Sequence, residues 1–167
     1  MRRIVAYTLV MIGGAGAAFM LLLLHQPELP TGSGAAIPEA DVRVAFVKTI
    51  AMMFVAGILG GCLYNFRGLV KHTQDDDFRP TYQLSYYLRP ISGGVSGVIV
   101  FFLLLGGAMT LNIGRPSDGV TWGTLLGRMP YIAFALLAGY ASHEFMLKMK
   151  DLAESLFAPR KGKEERQ

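Results

Sequence analysis

The 167-residue sequence predicts an all-α, polytopic membrane protein. Two observations carry that prediction. Apolar residues make up 52% of the chain and charged residues only 17%, below the roughly 25% charge of ordinary soluble domains. Four long tracts are also almost uncharged: 4–24, 44–66, 91–113 and 130–147. A helix needs about 20 apolar residues to cross a hydrocarbon core about 30 Å thick. The tracts therefore predict four transmembrane helices in two antiparallel hairpins. Residues 1–157 form a single domain, the last helix has a long cytoplasmic extension, and 158–167 is a basic tail.

The distribution of charge orients the spans. Of sixteen Lys and Arg, twelve lie at the N-terminus, between spans two and three, or after span four, and three lie in the other two loops. The positive-inside rule then makes both termini and the middle loop cytoplasmic. The net charge of +4 follows from this topology. Its partner is a bilayer with anionic headgroups, and nucleic acid need not be invoked.

Span one follows Arg2 and Arg3, an order shared with signal peptides. Its apolar run is longer than an ordinary signal core, and His25-Gln26-Pro27 follows in place of a cleavage site. An uncleaved span is expected. Gly13 with Ala17, and Gly14 with Ala18, make small-xxx-small pairs that permit close helix approach. The next loop is proline-rich, and its lone His25 lacks the companions a metal site requires. Pro38-Glu39-Ala40-Asp41 reads as a helix start, with acids beside the positive end of the helix dipole.

Span two carries Lys48 near its outer end. An intramembrane lysine is a candidate polar functional group, but a long stem can also snorkel to the interface. Deeper in, Gly57 and Gly61 form a GxxxG pair flanked by Ala56 and Gly60. Cys62 is the single cysteine, so no intramolecular disulfide forms. It reads as a small packing residue.

In the middle loop Asp75-Asp76-Asp77 lacks calcium-loop spacing and reads as a solvated turn. Tyr82, Tyr86 and Tyr87 match an interfacial aromatic belt. Arg89 is expected to anchor to headgroups or to the carbonyl end of span two. Pro90 suits a first helical turn, where its missing N–H is harmless. Gly93, Gly94 and Gly97 follow, and the antiparallel arrangement predicts their contact with the glycines of span two. Beyond span three, Trp122 is expected at headgroup depth on the outer side, within a short amphipathic piece that also holds Val120, Leu125 and Leu126.

Span four is expected to start at Pro130 and to run on as one helix to Phe157, before Pro159. Glu144 with Lys148, and Lys150 with Glu154, are i,i+4 pairs. His143-Glu144 opens the zinc motif HExxH, but Leu147 breaks it. The dyad remains a candidate polar site at a membrane exit. Two segments also align without gaps, Gly60 through Phe66 to Lys71 and Gly139 through Phe145 to Lys150. A parallel repeat of the two hairpins would produce this.

Several of these features recur together. Gly57-x-x-Gly60-Gly61 precedes Ser85-Tyr86-Tyr87-Leu88-Arg89-Pro90-x-x-Gly93-Gly94, then Leu105-Gly106-Gly107. Leu137-Ala138-Gly139-Tyr140-Ala141-Ser142 follows, leading to Ala153-Glu154-Ser155-Leu156-Phe157. From span two onward the chain resembles a family of uncharacterised small bacterial multi-pass inner-membrane proteins. It departs from that pattern at Tyr140-Ala141 and at Asp75 to Asp77. The resemblance implies a helical protein of the bacterial inner membrane and brings no activity with it.

The function expected from the sequence is non-enzymatic. The protein would oligomerise, or serve as an accessory or scaffold subunit of a membrane complex, through Gly57, Gly60, Gly61, Gly93, Gly94 and Gly97. The alternative is a homo-oligomeric ion channel or membrane-disrupting effector, although no span has the polar stripe that would line water. Catalysis needs converging nucleophile, base or metal groups. Only Lys48, His143 and Glu144 lie at membrane depth, and Lys48 is at the opposite face from the other two. No catalytic, cofactor-binding or metal-binding residue is expected, and no cofactor.

Overall fold

The computed structural model describes residues 2–25, 39–74, 83–106 and 125–157. They form five helices: α1 (Arg2–Leu24), α2 (Glu39–Gln74), α3 (Gln83–Leu105), α4 (Leu125–Tyr140) and α5 (Ser142–Phe157). Segments of α1 (Ile4–Leu24), α2 (Asp41–Lys71) and α3 (Leu84–Leu105) are long and apolar enough to cross a membrane. At 16 residues, α4 is about 24 Å long, shorter than the hydrocarbon core alone.

Side-chain exposure is inverted relative to a soluble bundle. Large apolar residues face outward on four helices: Val10 on α1, Phe66 on α2, Ile91 and Phe102 on α3, Leu137 on α4. Thr49, Asn65 and Ser96 are fully buried inside. Apolar side chains gain little by leaving lipid, so membrane helices pack through small and polar residues instead.

Contacts along the helices set their directions. Ile4 of α1 packs with Leu69 at the end of α2, while Leu22 and Leu23 reach the Phe46 and Ile50 end. α1 and α2 therefore run antiparallel. α2 and α3 do so as well, since Gly61 meets Arg89 and Pro90 while Gly97 meets Met53.

The core is knit by glycines whose missing Cβ atoms are required. A Cβ on Gly57 would collide with the Gly93 carbonyl, and one on Gly139 with the Gly57 carbonyl. On Gly61 it would lie 2.7 Å from the Arg89 carbonyl, and on Gly97 2.6 Å from that of Met53. On Gly60 it would strike the Leu136 carbonyl of α4, and on Gly94 the Phe54 ring at 2.7 Å. Gly60 and Gly139, matched in the sequence repeat, thus lie against each other's helices. The glycines of α1 behave differently: Gly13, Gly14 and Gly16 have open space where a Cβ would go.

The element boundaries differ from the sequence expectation in three places. α3 begins at Gln83, so Pro90 lies inside the helix rather than in its first turn. α4 begins at Leu125 and encloses Pro130. The expected continuous last helix is interrupted at Ala141, which separates α4 from α5. The interruption is one residue wide, because Ala141 N–H still donates to the Leu137 carbonyl at 2.9 Å and Phe145 N–H to that of Ala141 at 2.8 Å. Trp122, Asp75 to Asp77, the end of the predicted third span (107–113) and the tail lie outside the described residues.

Cys62 is fully buried and reports on this packing. Gly57→Ala should destabilise the bundle by about 1–3 kcal/mol through overpacking, and so accelerate Cys62 labelling by a membrane-permeant thiol reagent. Gly14→Ala, with open space at its Cβ, should leave labelling unchanged or slow it, since Ala is favoured over Gly in a helix by roughly 0.5–1 kcal/mol.

Candidate functional site

Proline inside α3 builds one end of the bundle. Pro90 has no N–H to give the Tyr86 carbonyl four residues earlier, and its ring crowds that turn. In lipid an unsatisfied carbonyl costs several kcal/mol, so neighbouring helices must supply donors. α2 does: Asn65 Nδ2 donates to the Tyr86 carbonyl at 2.7 Å. The adjacent Tyr87 carbonyl accepts from Tyr7 Oη of α1 at 3.3 Å. The Asn65 side chain is fully buried and its Oδ1 has no partner, which lowers the net gain.

This arrangement holds Arg89 in place. Its guanidinium carbon lies 4.5 Å from the centre of the Tyr64 ring and 5.4 Å from that of Tyr86. Both contacts are cation–π interactions. Tyr64 also packs edge-to-face on Tyr140 of α4, with centroids 5.7 Å apart. Arg67 Nη1 donates to the Tyr140 hydroxyl at 2.8 Å.

Beside Arg89 opens a cavity of about 590 Å³. α2 contributes Tyr64. α3 contributes Ser85, Leu88, Arg89 and Ser92, and the α4–α5 junction contributes Tyr140 to Glu144 and Met146. The Ala141 interruption turns Ser142, His143 and Glu144 toward the same space. Ser142 is buried, whereas His143 and Glu144 are exposed. The cavity holds one guanidinium, one carboxylate, one imidazole and several hydroxyls. Among the described residues Arg89 and Glu144 form no ion pair with each other or with another group. Lys150 pairs with Glu154 at 3.7 Å, but the expected Glu144–Lys148 pair does not form.

The structure thus brings Arg89, His143 and Glu144 together, with Tyr86 behind Arg89. Tyr87 lies on the α1 side, packed edge-to-face on Tyr7 at 4.7 Å. Lys48 is at the other end of α2, where its Nζ donates to the His25 carbonyl at 2.9 Å and satisfies an otherwise open carbonyl at the α1 C-terminus. Gly57, Gly60, Gly61, Gly93, Gly94 and Gly97 are all buried between the chain's own helices. Sequence reasoning missed Tyr64, Arg67, Asn65 and Tyr140. The available signal was Pro90: a proline seven residues into a helix demands an external donor, and Asn65 is a polar residue near the facing end of α2. Among the described residues no three His, Cys, Asp or Glu side chains are grouped to hold a metal.

Fold and site define a class: a helical protein with three helices long and apolar enough for a membrane, and a polar cavity at one end. Comparisons with protein-family models, curated proteins and solved structures find no match to this chain.

The Pro90–Asn65 relation is testable as a double-mutant cycle. Asn65→Leu removes the donor to a buried carbonyl and should cost about 1–3 kcal/mol. Pro90→Ala restores a backbone N–H to that carbonyl. In the Pro90→Ala background the Asn65→Leu cost should fall to less than half, measured by unfolding in bicelles.

Proposed function

We propose that this chain is a non-enzymatic subunit of a bacterial inner-membrane complex, acting as an accessory or scaffold protein. It crosses the bilayer four times with both termini cytoplasmic. α4 and the first turns of α5, with Phe145, Met146 and Leu147, together supply the fourth crossing, which α4 alone is too short to make. The excess of Lys and Arg at the termini and in the middle loop, twelve against three in the other two loops, supports this orientation.

The observation that carries the subunit proposal is α5. Its first residue packs into the bundle, but from His143 to Ser155 nearly every side chain is exposed. Beyond the turns assigned to the crossing, Leu152 lies exposed among Lys148, Lys150, Asp151 and Glu154, both signs of charge on one stretch of helix. That stretch is too polar to span and still keeps a large apolar side chain at its surface. It suits a partner protein. The glycine faces support the same division of labour. They are consumed inside the chain, so a partner meets α5 rather than Gly57 or Gly93.

A photo-crosslinking residue placed at Leu152 should give a discrete protein adduct in native membranes, while the same probe at Val10 should label lipid. A chain that is monomeric in native nanodiscs and gives no protein adduct from any α5 position would overturn the subunit proposal. Unitary currents from a purified homo-oligomer in a planar bilayer would favour the channel alternative.

A further inference from the structure

We propose that the cavity between α3 and the α4–α5 junction binds a zwitterionic phosphodiester headgroup bearing a primary ammonium, supplied by a membrane lipid. Arg89 takes the phosphate and Glu144 the ammonium. The inference rests on the membrane-embedded placement of α2 and α3.

Charge is the first argument. One full cation and one full anion line a single cavity of about 590 Å³ and pair with nothing among the described residues. Two opposite charges held apart in one cavity fit a ligand that carries both. A purely anionic headgroup would leave Glu144 facing a like charge, which is unfavourable.

The way Arg89 is held is the second argument. The Tyr64 and Tyr86 rings lie 4.5 Å and 5.4 Å from its guanidinium carbon. Stacking engages the face of a guanidinium, whereas its five N–H donors lie in the plane. Among the described residues the Arg89 side chain makes no hydrogen bond or ion pair, and a planar fork matches two oxygens of a phosphate. Neighbouring Arg67 differs, since it donates to Tyr140.

Position is the third argument. The cavity spans the change from the polar start of α3, with Ser85, to its apolar run, with Leu88 half-exposed and Ile91 outward. Leu88 and Met146 give the rim an apolar edge where acyl chains would leave. A primary ammonium donates hydrogen bonds to a carboxylate and a quaternary one does not, so the site distinguishes ethanolamine from choline.

Native mass spectrometry of the full chain from nanodiscs containing phosphatidylethanolamine, phosphatidylcholine and phosphatidylglycerol tests this. One phosphatidylethanolamine should be retained per chain, about tenfold in preference to phosphatidylcholine, as expected for one charge-assisted hydrogen bond gained. Glu144→Gln should erase that preference and leave phosphatidylcholine retention unchanged. Arg89→Gln should reduce retention of all three lipids, and Lys150→Gln should change none. Shielding of Cys62 identifies the variants that remain folded. If Arg89→Gln loses that shielding, Arg89→Lys, which keeps the charge without the planar fork, should still bind the three lipids more weakly. Equal retention of the three lipids by the wild type, a preference for phosphatidylglycerol, or indifference to Glu144→Gln would overturn the proposal. Water-soluble glycerophosphoethanolamine competing as well as the lipid would overturn the membrane source. Failure of the chain to enter nanodiscs would instead remove the membrane placement, a separate outcome.

Discussion

At Gly57 the backbones of α2, α3 and α4 meet more closely than any side chain permits. Gly93 and Gly97 approach it from α3 and Gly139 from α4, and a Cβ on Gly57 or Gly139 would run into a main-chain carbonyl. Helices in lipid gain little from burying apolar side chains, so their association depends on close packing and on polar contacts between them. The close approach at Gly57 has consequences one and two turns further along. It brings Gly61 against Arg89 and Pro90, and it puts Asn65 within reach of the Tyr86 carbonyl that Pro90 leaves without a helical donor. The proline is tolerated because the glycines bring its substitute donor close. The cavity lies at the same end, where the bulkier Tyr64 and Tyr140 follow Gly60 and Gly139 and the polar residues of α3 and the α4–α5 junction come together.

Sequence spacing showed part of this and missed part, for a physical reason. Gly57 and Gly61, four residues apart, fall on one helix face whatever the tertiary structure, so a close-packing surface on α2 was legible. The same spacing at Gly13 and Ala17 in α1 meets open space. Spacing shows that a backbone can be approached, not whether another helix approaches it. Pro90 is a residue suited to a first helical turn, yet α3 begins seven residues before it. Gln83 through Arg89 contain no helix breaker, and Tyr86 packs against Ile4 and Leu69, so the helix forms upstream of the apolar run. The cavity was the least legible feature. Its lining comes from three separate stretches of chain with no common period, and the interruption at Ala141 beside buried Ser142 and exposed His143 carries neither glycine nor proline.

The cationic side chains at the helix ends show how charge can be positioned in different ways. Lys48 gives its ammonium to the His25 carbonyl at the end of α1, and Arg67 gives a donor to the Tyr140 hydroxyl. Both are committed to holding the bundle together. Arg89 is held by ring faces, which stabilise a cation without occupying its N–H groups. Ser92 donates to the Arg89 backbone carbonyl at 3.0 Å, which steadies the turn and leaves the guanidinium untouched. A surface arginine needs no such support, since water solvates it freely. A guanidinium that two aromatic rings hold at a cavity wall, with no hydrogen bond or ion pair among the described residues, is preorganised for an oxyanion. Less side-chain freedom is then lost on binding than with a flexible lysine. Glu144, which lines the same cavity and has no ion-pair partner among the described residues, sets a second requirement. A ligand that satisfies both groups carries positive and negative charge within a few bonds of each other.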